Sequence, residues 1–253
     1  MITDLQKASL WKRVSAALCD FIALSILVVG LGLLLSMAFG YNDHVANLTD
    51  SYNHYETQYG VEFQISADEY DALSAEKRQA YDDAYKALVA DQEVLRTYNI
   101  IMNLTLLIIT FSILVGVMIT EFVIPMIFGN GQTLGKKVFG IGLMRTDSVR
   151  IRPLQLFIRT LLGKFTLEIM IPVYVLIMIF FNSIGIVSVL ILLVLLIAQI
   201  ICIAVTKTYS VLHDVLSGTV AVDIASQMIF ETHDELVEYT KKIHAERAAR
   251  SDY

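Results

Sequence analysis

Asp20, Glu121 and Glu168 are carboxylates set inside otherwise apolar runs, and Gln199 is an amide inside a fourth such run. On insertion scales a carboxylate at a helix centre costs about 2.5–3.5 kcal/mol, so these groups face a bundle interior or water. At 1.5 Å per residue, each lies within roughly 5–11 Å of one end of its run. Two chemistries suit such a set. The acids can pair with Arg13, Arg159 or Lys164 as an ionic latch between helices and loop. They can instead form a proton or cation site, changing charge as burial and neighbours shift their pKa. Glu168 is shallow enough to favour the latch, and Asp20 and Glu121 suit either chemistry equally. Arg13 lies two helical turns before Asp20 on the same face, roughly 10 Å away along the axis. Contact between them needs long side-chain reach or a shared partner. His213-Asp214 reads as a strut to the inner helix ends, with a proton relay as the sharper alternative.

Helices long enough to carry these groups through a bilayer need about 20 apolar residues. Val14–Phe39, Ile100–Phe128, Phe165–Phe181 and Ile184–Val205 meet or approach that length. Asn182-Ser183, followed by Gly185, separates the last two, which suggests a tight helical hairpin. The first run is longer than a signal-peptide core and contains Asp20, so it is expected to stay as a span. The sequence therefore predicts an all-α polytopic membrane protein with four transmembrane helices. A helical hairpin insertion stands outside, and a small β-hairpin with an amphipathic helix lies in the cytoplasm. The expected order is 1–40 N-terminus and first span, 41–99 outer insertion and 100–128 second span. A basic loop at 129–164, a transmembrane hairpin at 165–205 and a C-terminal motif and tail at 206–253 follow.

Composition agrees: 56% hydrophobic and 17% charged residues, against about 45–50% and 25% in soluble domains. Two Cys leave no paired motif for zinc, and the formal charge of −6 gives no basic surface for nucleic acid. No metal or cofactor is expected, and no nucleophile–base pair points to an enzyme. Charge is unevenly placed, with 41–99 strongly acidic and 129–164 strongly basic. Lys and Arg in short loops set orientation, which puts 129–164 and both termini in the cytoplasm of a plasma-membrane protein.

Residues 61–99 contain no Pro or Gly, and eight of the twelve Tyr lie in 41–99. Leu48, Tyr52, Tyr55 and Tyr59 follow a 4-3-4 spacing, and Tyr81, Tyr85, Leu88, Gln92 and Leu95 continue a similar rhythm. A helical hairpin with an aromatic seam packed on itself is the plain expectation, and a surface for an extracytoplasmic protein partner the sharper one. Ser66-Ala67-Asp68-Glu69 and Thr232-His233-Asp234-Glu235 fit capping boxes. The second opens a polar helix running to about Ala249.

Three segments carry a family resemblance. Lys12-Arg13-Val14-Ser15-Ala16-Ala17-Leu18-Cys19-Asp20 resembles the opening of the RDD family. Gly131-Gln132-Thr133-Leu134-Gly135-Lys136-Lys137-Val138-Phe139-Gly140-Ile141 resembles that family's Gly-Gln-Thr-x-Gly-Lys-x-x-x-Gly run. Leu212-His213-Asp214-Val215-Leu216-Ser217-Gly218-Thr219-Val220-Ala221-Val222 resembles its closing motif. The resemblance makes Arg13, Asp20 and Asp214 the name-giving arginine and aspartates. It implies an integral membrane protein, with transport in general and cation/proton antiport in some members.

Physically, the loop glycines permit turns and close approach. Val138–Arg145 and Val149–Arg152 flank Thr146-Asp147-Ser148 as a short hairpin, to which Thr219–Asp223 could add a strand. Pro153 suits a helix start, and Leu154–Lys164 reads as an interfacial helix. The glycine loop beside Lys136-Lys137 could cradle a phosphate or lipid headgroup, although basic inner loops are ordinary topology determinants. The leading expectation is a small transporter of monovalent cations or protons, using Arg13, Asp20, Glu121, Glu168, Gln199 and Asp214. Its inner motif would be Gly131, Gln132, Thr133, Gly135, Lys136 and His213. Four spans rarely enclose a full path, so a homo-oligomer in the lipid bilayer is expected. The other expectation is a non-transporting adaptor that works through its outer hairpin.

Overall fold

A computed structural model describes residues 6–180, 186–206 and 208–251. It is mostly helical, with one small sheet. The helices are α1 (Leu10–Ala38), α2 (Tyr41–Tyr59), α3 (Ala67–Asp71), α4 (Ala75–Ala90) and α5 (Gln92–Phe128). They continue with α6 (Leu134–Val138), α7 (Pro153–Phe180), α8 (Ile186–Val205), α9 (Leu212–Ser217) and α10 (His233–Ser251). Strands β1 (Ile141–Arg145) and β2 (Thr219–Asp223) pair antiparallel, from Ile141 opposite Asp223 to Arg145 opposite Thr219. Among the described residues, α1, α5 and α7 are long and apolar enough to cross a membrane. Helix α8 is apolar apart from Ser188 and Gln199. The expected turn at Asn182-Ser183 and Gly185 lies outside the described residues.

The chain forms two compact units, residues 29–112 and residues 1–28 with 113–253. In the first, α2 packs on α4. Gly40 and Gly60 both take the left-handed conformation, with φ of 61° and 65°, and so bound α2 with sharp turns. Phe63 forms edge-to-face contacts with Tyr52, Tyr81 and Tyr85 at centroid distances of 5.6–6.5 Å. Tyr55 and Tyr70 donate to Asp91 and Asp82. Ala84 and Leu88 of α4 are buried. The Ser66–Glu69 capping box forms as expected, with both reciprocal bonds present.

The second unit holds the sheet. Ala8, Ala16, Ile141, Leu143, Leu156 and Ala221 make one buried apolar cluster, and Met144, Val220 and Val222 make another. The strand pairing corrects the expected local hairpin. The chain does turn at 146–148, where Arg145 N–H donates to the Val149 carbonyl. Val149 and Arg150, however, form only isolated bridges, and the ladder partner of β1 is β2. The reason is burial: four of the five residues of each strand are buried, whereas 150–152 are partly solvent-facing. Pro153 also has no N–H with which to prolong a ladder beyond Arg152.

A second correction concerns 154–164. It is not a separate interfacial helix, because the backbone runs as one helix from Pro153 to Phe180. Residues Arg159–Met170 are wound as π-helix, as are Ile119–Val123 in α5. π turns concentrate at functional sites and re-aim side chains without ending a helix. Here they carry Glu121, Arg159, Lys164 and Glu168. The tail box forms in part: Thr232 Oγ1 accepts from Glu235 N–H, but the Glu235 carboxylate accepts from Glu231 N–H.

Candidate functional site

Glu121 sits on the π turn of α5 and is buried. Its carboxylate accepts a hydrogen bond from Lys164 Nζ. Lys136 Nζ and Arg159 NH1 each stand 3.6 Å from Glu121 Oε2. Thr160 Oγ1 donates to the Glu121 backbone carbonyl, which ties α7 to α5. Three cations thus surround one carboxylate, and they come from two segments, α6 and α7.

Arg159 links this cluster to the closing motif. Its Nε donates to Asp214 Oδ1 at 2.9 Å, and its NH2 lies 2.7 Å from His213 Nε2. A guanidinium only donates, so the bond makes Nε2 the acceptor and leaves the proton on Nδ1. That nitrogen faces Glu168 at 2.7 Å. Burial first, and then the charge of Arg159, hold the His213 imidazole well below its ordinary pKa, so it is neutral. Glu168 also accepts from Gln199 Nε2, while Gln199 Oε1 accepts from Leu212 N–H. Glu168 therefore pairs with neutral groups, where a latch to Arg159 or Lys164 was expected.

Asp20 is buried and points to the glycine loop. Thr133 Oγ1 donates to it at 2.5 Å and Gly135 N–H at 2.7 Å. Thr133 also caps α6 by accepting from Lys136 N–H. The loop can approach this closely only because residue 135 is glycine, since a Cβ there would lie 2.1 Å from the Ala16 carbonyl oxygen. Arg13 pairs with no acid among the described residues, contrary to the latch expectation. It donates instead to the carbonyls of Tyr209 and Ala221, at 2.8 and 2.6 Å. Arg13 and Asp20 both lie on α1, but their hydrogen bonds go to different segments, Arg13 to Tyr209 and Ala221 and Asp20 to Thr133 and Gly135.

The structure thus gathers Glu121, Glu168, Gln199, Asp214, Lys136 and His213 into one network and sets Asp20 and Thr133 beside it. Gln132 lies apart, donating to the Ile141 carbonyl at 3.0 Å, and Gly131 packs on Leu143. Gly163 was missed. A Cβ there would meet His213 Cβ at 2.4 Å, so α9 crosses α7 where a glycine makes room. A lone glycine in an otherwise bulky helical run was the available signal. Formally the set holds four cations (Arg13, Lys136, Arg159, Lys164) and four carboxylates (Asp20, Glu121, Glu168, Asp214). Burial, opposed by Glu121 and reinforced by Arg159 and Lys164, lowers Lys136 to about 8. No metal-holding cluster of His, Cys, Asp or Glu occurs among the described residues.

The family model of the RDD family matches residues 7–218. The chain belongs to the RDD family. Arg13, Asp20, the 131–140 loop and Asp214 all fall inside the match, whereas β2 and α10 lie beyond it. The buried network of this RDD family protein is thus built from residues within the matched region. No curated protein and no solved structure matches the chain.

Proposed function

We propose that this RDD family protein is a small membrane transporter, not an enzyme, coupled to protons or monovalent cations through Glu168. One observation carries the reading. Glu168 is bonded by neutral His213 and Gln199 and borders a cavity of about 210 Å³ lined further by Leu192, Leu195 and Leu196. The other acids are differently held. Glu121 answers three cations and Asp214 answers Arg159, so their charges are compensated. Asp20 has its oxygens occupied by Thr133 and Gly135 and is the more buried. A carboxylate without a Lys or Arg partner can exchange a proton for a cation with little rearrangement.

In this reading α1, α5, α7 and α8 span a plasma membrane, with 41–99 outside and both termini in the cytoplasm. Copies associate to complete a path that four helices would not enclose. The test is flux in proteoliposomes carrying a pH gradient, with Na⁺, Li⁺ or K⁺ added. Cation-dependent proton movement in the wild type, lost in Glu168→Gln, is the expected result. Absence of flux in the wild type, or equal flux in the variant, overturns the proposal.

A second reading is an adaptor whose outer hairpin binds a protein partner. It is favoured by the self-contained aromatic seam of residues 29–112 around Phe63. Deleting 43–97 separates the two, because a transporter keeps its flux and an adaptor loses its function.

A further inference from the structure

Helix α10 belongs neither to the buried network nor to the family match, which ends at residue 218. Its approach is firmly fixed. Phe230 is buried; its N–H donates to the Ser148 carbonyl at 3.0 Å, and its own carbonyl accepts from Arg150 N–H at 2.8 Å. Arg150 NH1 donates to both carboxylate oxygens of Glu231. The Tyr239 ring then meets Phe230 at a centroid distance of 5.2 Å. Past Tyr239, no other element packs broadly on the helix among the described residues.

Leu236, Tyr239, Thr240 and Ile243 nevertheless share one stripe of α10. Thr240 Oγ1 donates to the Leu236 carbonyl, so its hydroxyl is already served. A helix of 19 residues whose stripe is left uncovered is marginal in water. Ion pairs do not make up the difference, because among the described residues none is formed by a side chain of α10. The charges indicate what covers the stripe. Residues 233–240 hold Asp234, Glu235 and Glu238 with no Lys or Arg, whereas 241–249 hold Lys241, Lys242 and Arg247 against Glu246. The helix dipole accounts for acids in a first turn and bases in a last one. It does not account for Glu238, Lys241 and Lys242, which lie in the middle turns. A second α10 laid parallel sets like charge on like. Laid antiparallel, it sets the acidic half of each copy on the basic half of the other. Glu235 and Lys242, seven residues apart, lie on the same flank of the stripe.

We propose that α10 is a dimerisation helix: two copies of the chain pair their α10 stripes antiparallel, with Leu236 of each facing Ile243 of the other and Glu235 facing Lys242. The contact is isologous, the same surface serving both copies, and so closes at two. It gives a surface to the association of copies in the transport reading and rests on that association. Its readout is pairing and not flux, so its failure is distinguishable from failure of the transport reading.

The test uses the full chain with Cys19 and Cys202 replaced by Ala, reconstituted in liposomes and mildly oxidised. Differently tagged chains carrying Leu236→Cys and Ile243→Cys are mixed before reconstitution. They are expected to crosslink several-fold more than Ile243→Cys alone, whose two copies would stand about 10 Å apart along the helix axis. A charge swap then identifies the partner. Glu235→Lys with Glu238→Lys makes both halves basic and is expected to weaken pairing about tenfold, or 1.4 kcal/mol. Adding Lys241→Glu with Lys242→Glu to the same chain makes the halves complementary again and should restore it. All four side chains are exposed, and an unchanged Tm of the solubilised chain checks that the fold is kept. Crosslinking by Ile243→Cys alone equal to that of the mixed pair overturns the proposal. So does a monomer at every lipid-to-protein ratio, or pairing unmoved by Glu235→Lys with Glu238→Lys. Pairing lost in that variant and not recovered by the second swap assigns the stripe to a different protein, and overturns it too.

Discussion

Glu121 shows how far one residue's surroundings decide its role. As a letter in an apolar run it suits either a proton site or a latch, but its three cationic neighbours make it the anchor of a buried ion cluster. Removing one member of such a cluster leaves the others uncompensated, a loss of about 3–5 kcal/mol. Glu121→Gln is therefore expected to lower the melting temperature of the detergent-solubilised protein strongly. Glu121→Gln with Lys136→Gln, which restores charge balance, should recover part of it. Lys136 adds a pH dependence. It is faced by Glu121 of α5, Arg159 and Lys164 of α7, Asp20 of α1 and His213 of α9. Its pKa falls from 10.5 to about 8 in the folded chain. Between those values the unfolded chain binds the extra proton, so the destabilisation from burying this charge is complete below pH 8 and relaxes as pH rises towards 10.5. Lysine side-chain NMR, with Lys136→Arg for assignment, should show a midpoint near 8. The midpoint should rise in Lys164→Gln, which removes a like charge, and fall in Glu121→Gln, which removes the attracting one.

At the scale of elements, the decisive contacts are made by glycines and π turns. The crossing of α9 over α7 depends on Gly163, because an added Cβ would lie 2.8 Å from His213 Cα as well as 2.4 Å from its Cβ. Backbone cannot swing aside like a side chain, so Gly163→Ala should be destabilising by about 1–3 kcal/mol, the usual range for overpacking. It should also loosen the Arg159–Asp214 pair, read as a lower melting temperature and faster amide exchange in α9. Gly135→Ala meets the Ala16 carbonyl at 2.1 Å and is expected to be worse, releasing the Asp20–loop bonds and reducing folded yield. Helix periodicity made α1, α5, the α2–α4 seam and α10 legible, since apolar length and 4-3-4 spacing are local properties. The π segments were not legible, because an inserted residue is accommodated by what the helix packs on and leaves no change in composition. For the same reason 154–164 resembled an interfacial helix. Its polar residues are buried by α5 and α9, which are distant in sequence.

Across the whole molecule, the acidic 41–99 segment and the basic 129–164 loop state an orientation that labelling can check. Single cysteines at positions 50–90, introduced after Cys19 and Cys202 are replaced by Ala, should react with an impermeant thiol reagent from outside. Cysteines in the 129–164 loop should react only after permeabilisation. Reaction of that loop from outside would reverse the assigned topology. The sequence by itself determined the membrane character, the helical class, the family and the set of costly polar residues. Each follows from composition, run length or short ordered motifs. Only the tertiary structure decided the partners: that β1, ending at Arg145, pairs with β2, starting at Thr219, that Arg13 holds backbone carbonyls, and that Glu168 meets His213 while Glu121 meets three cations. Charge type and depth are written in the residue and its neighbours along the chain. A partner is chosen by which helices pack together, and the groups that meet there are brought from five separate elements.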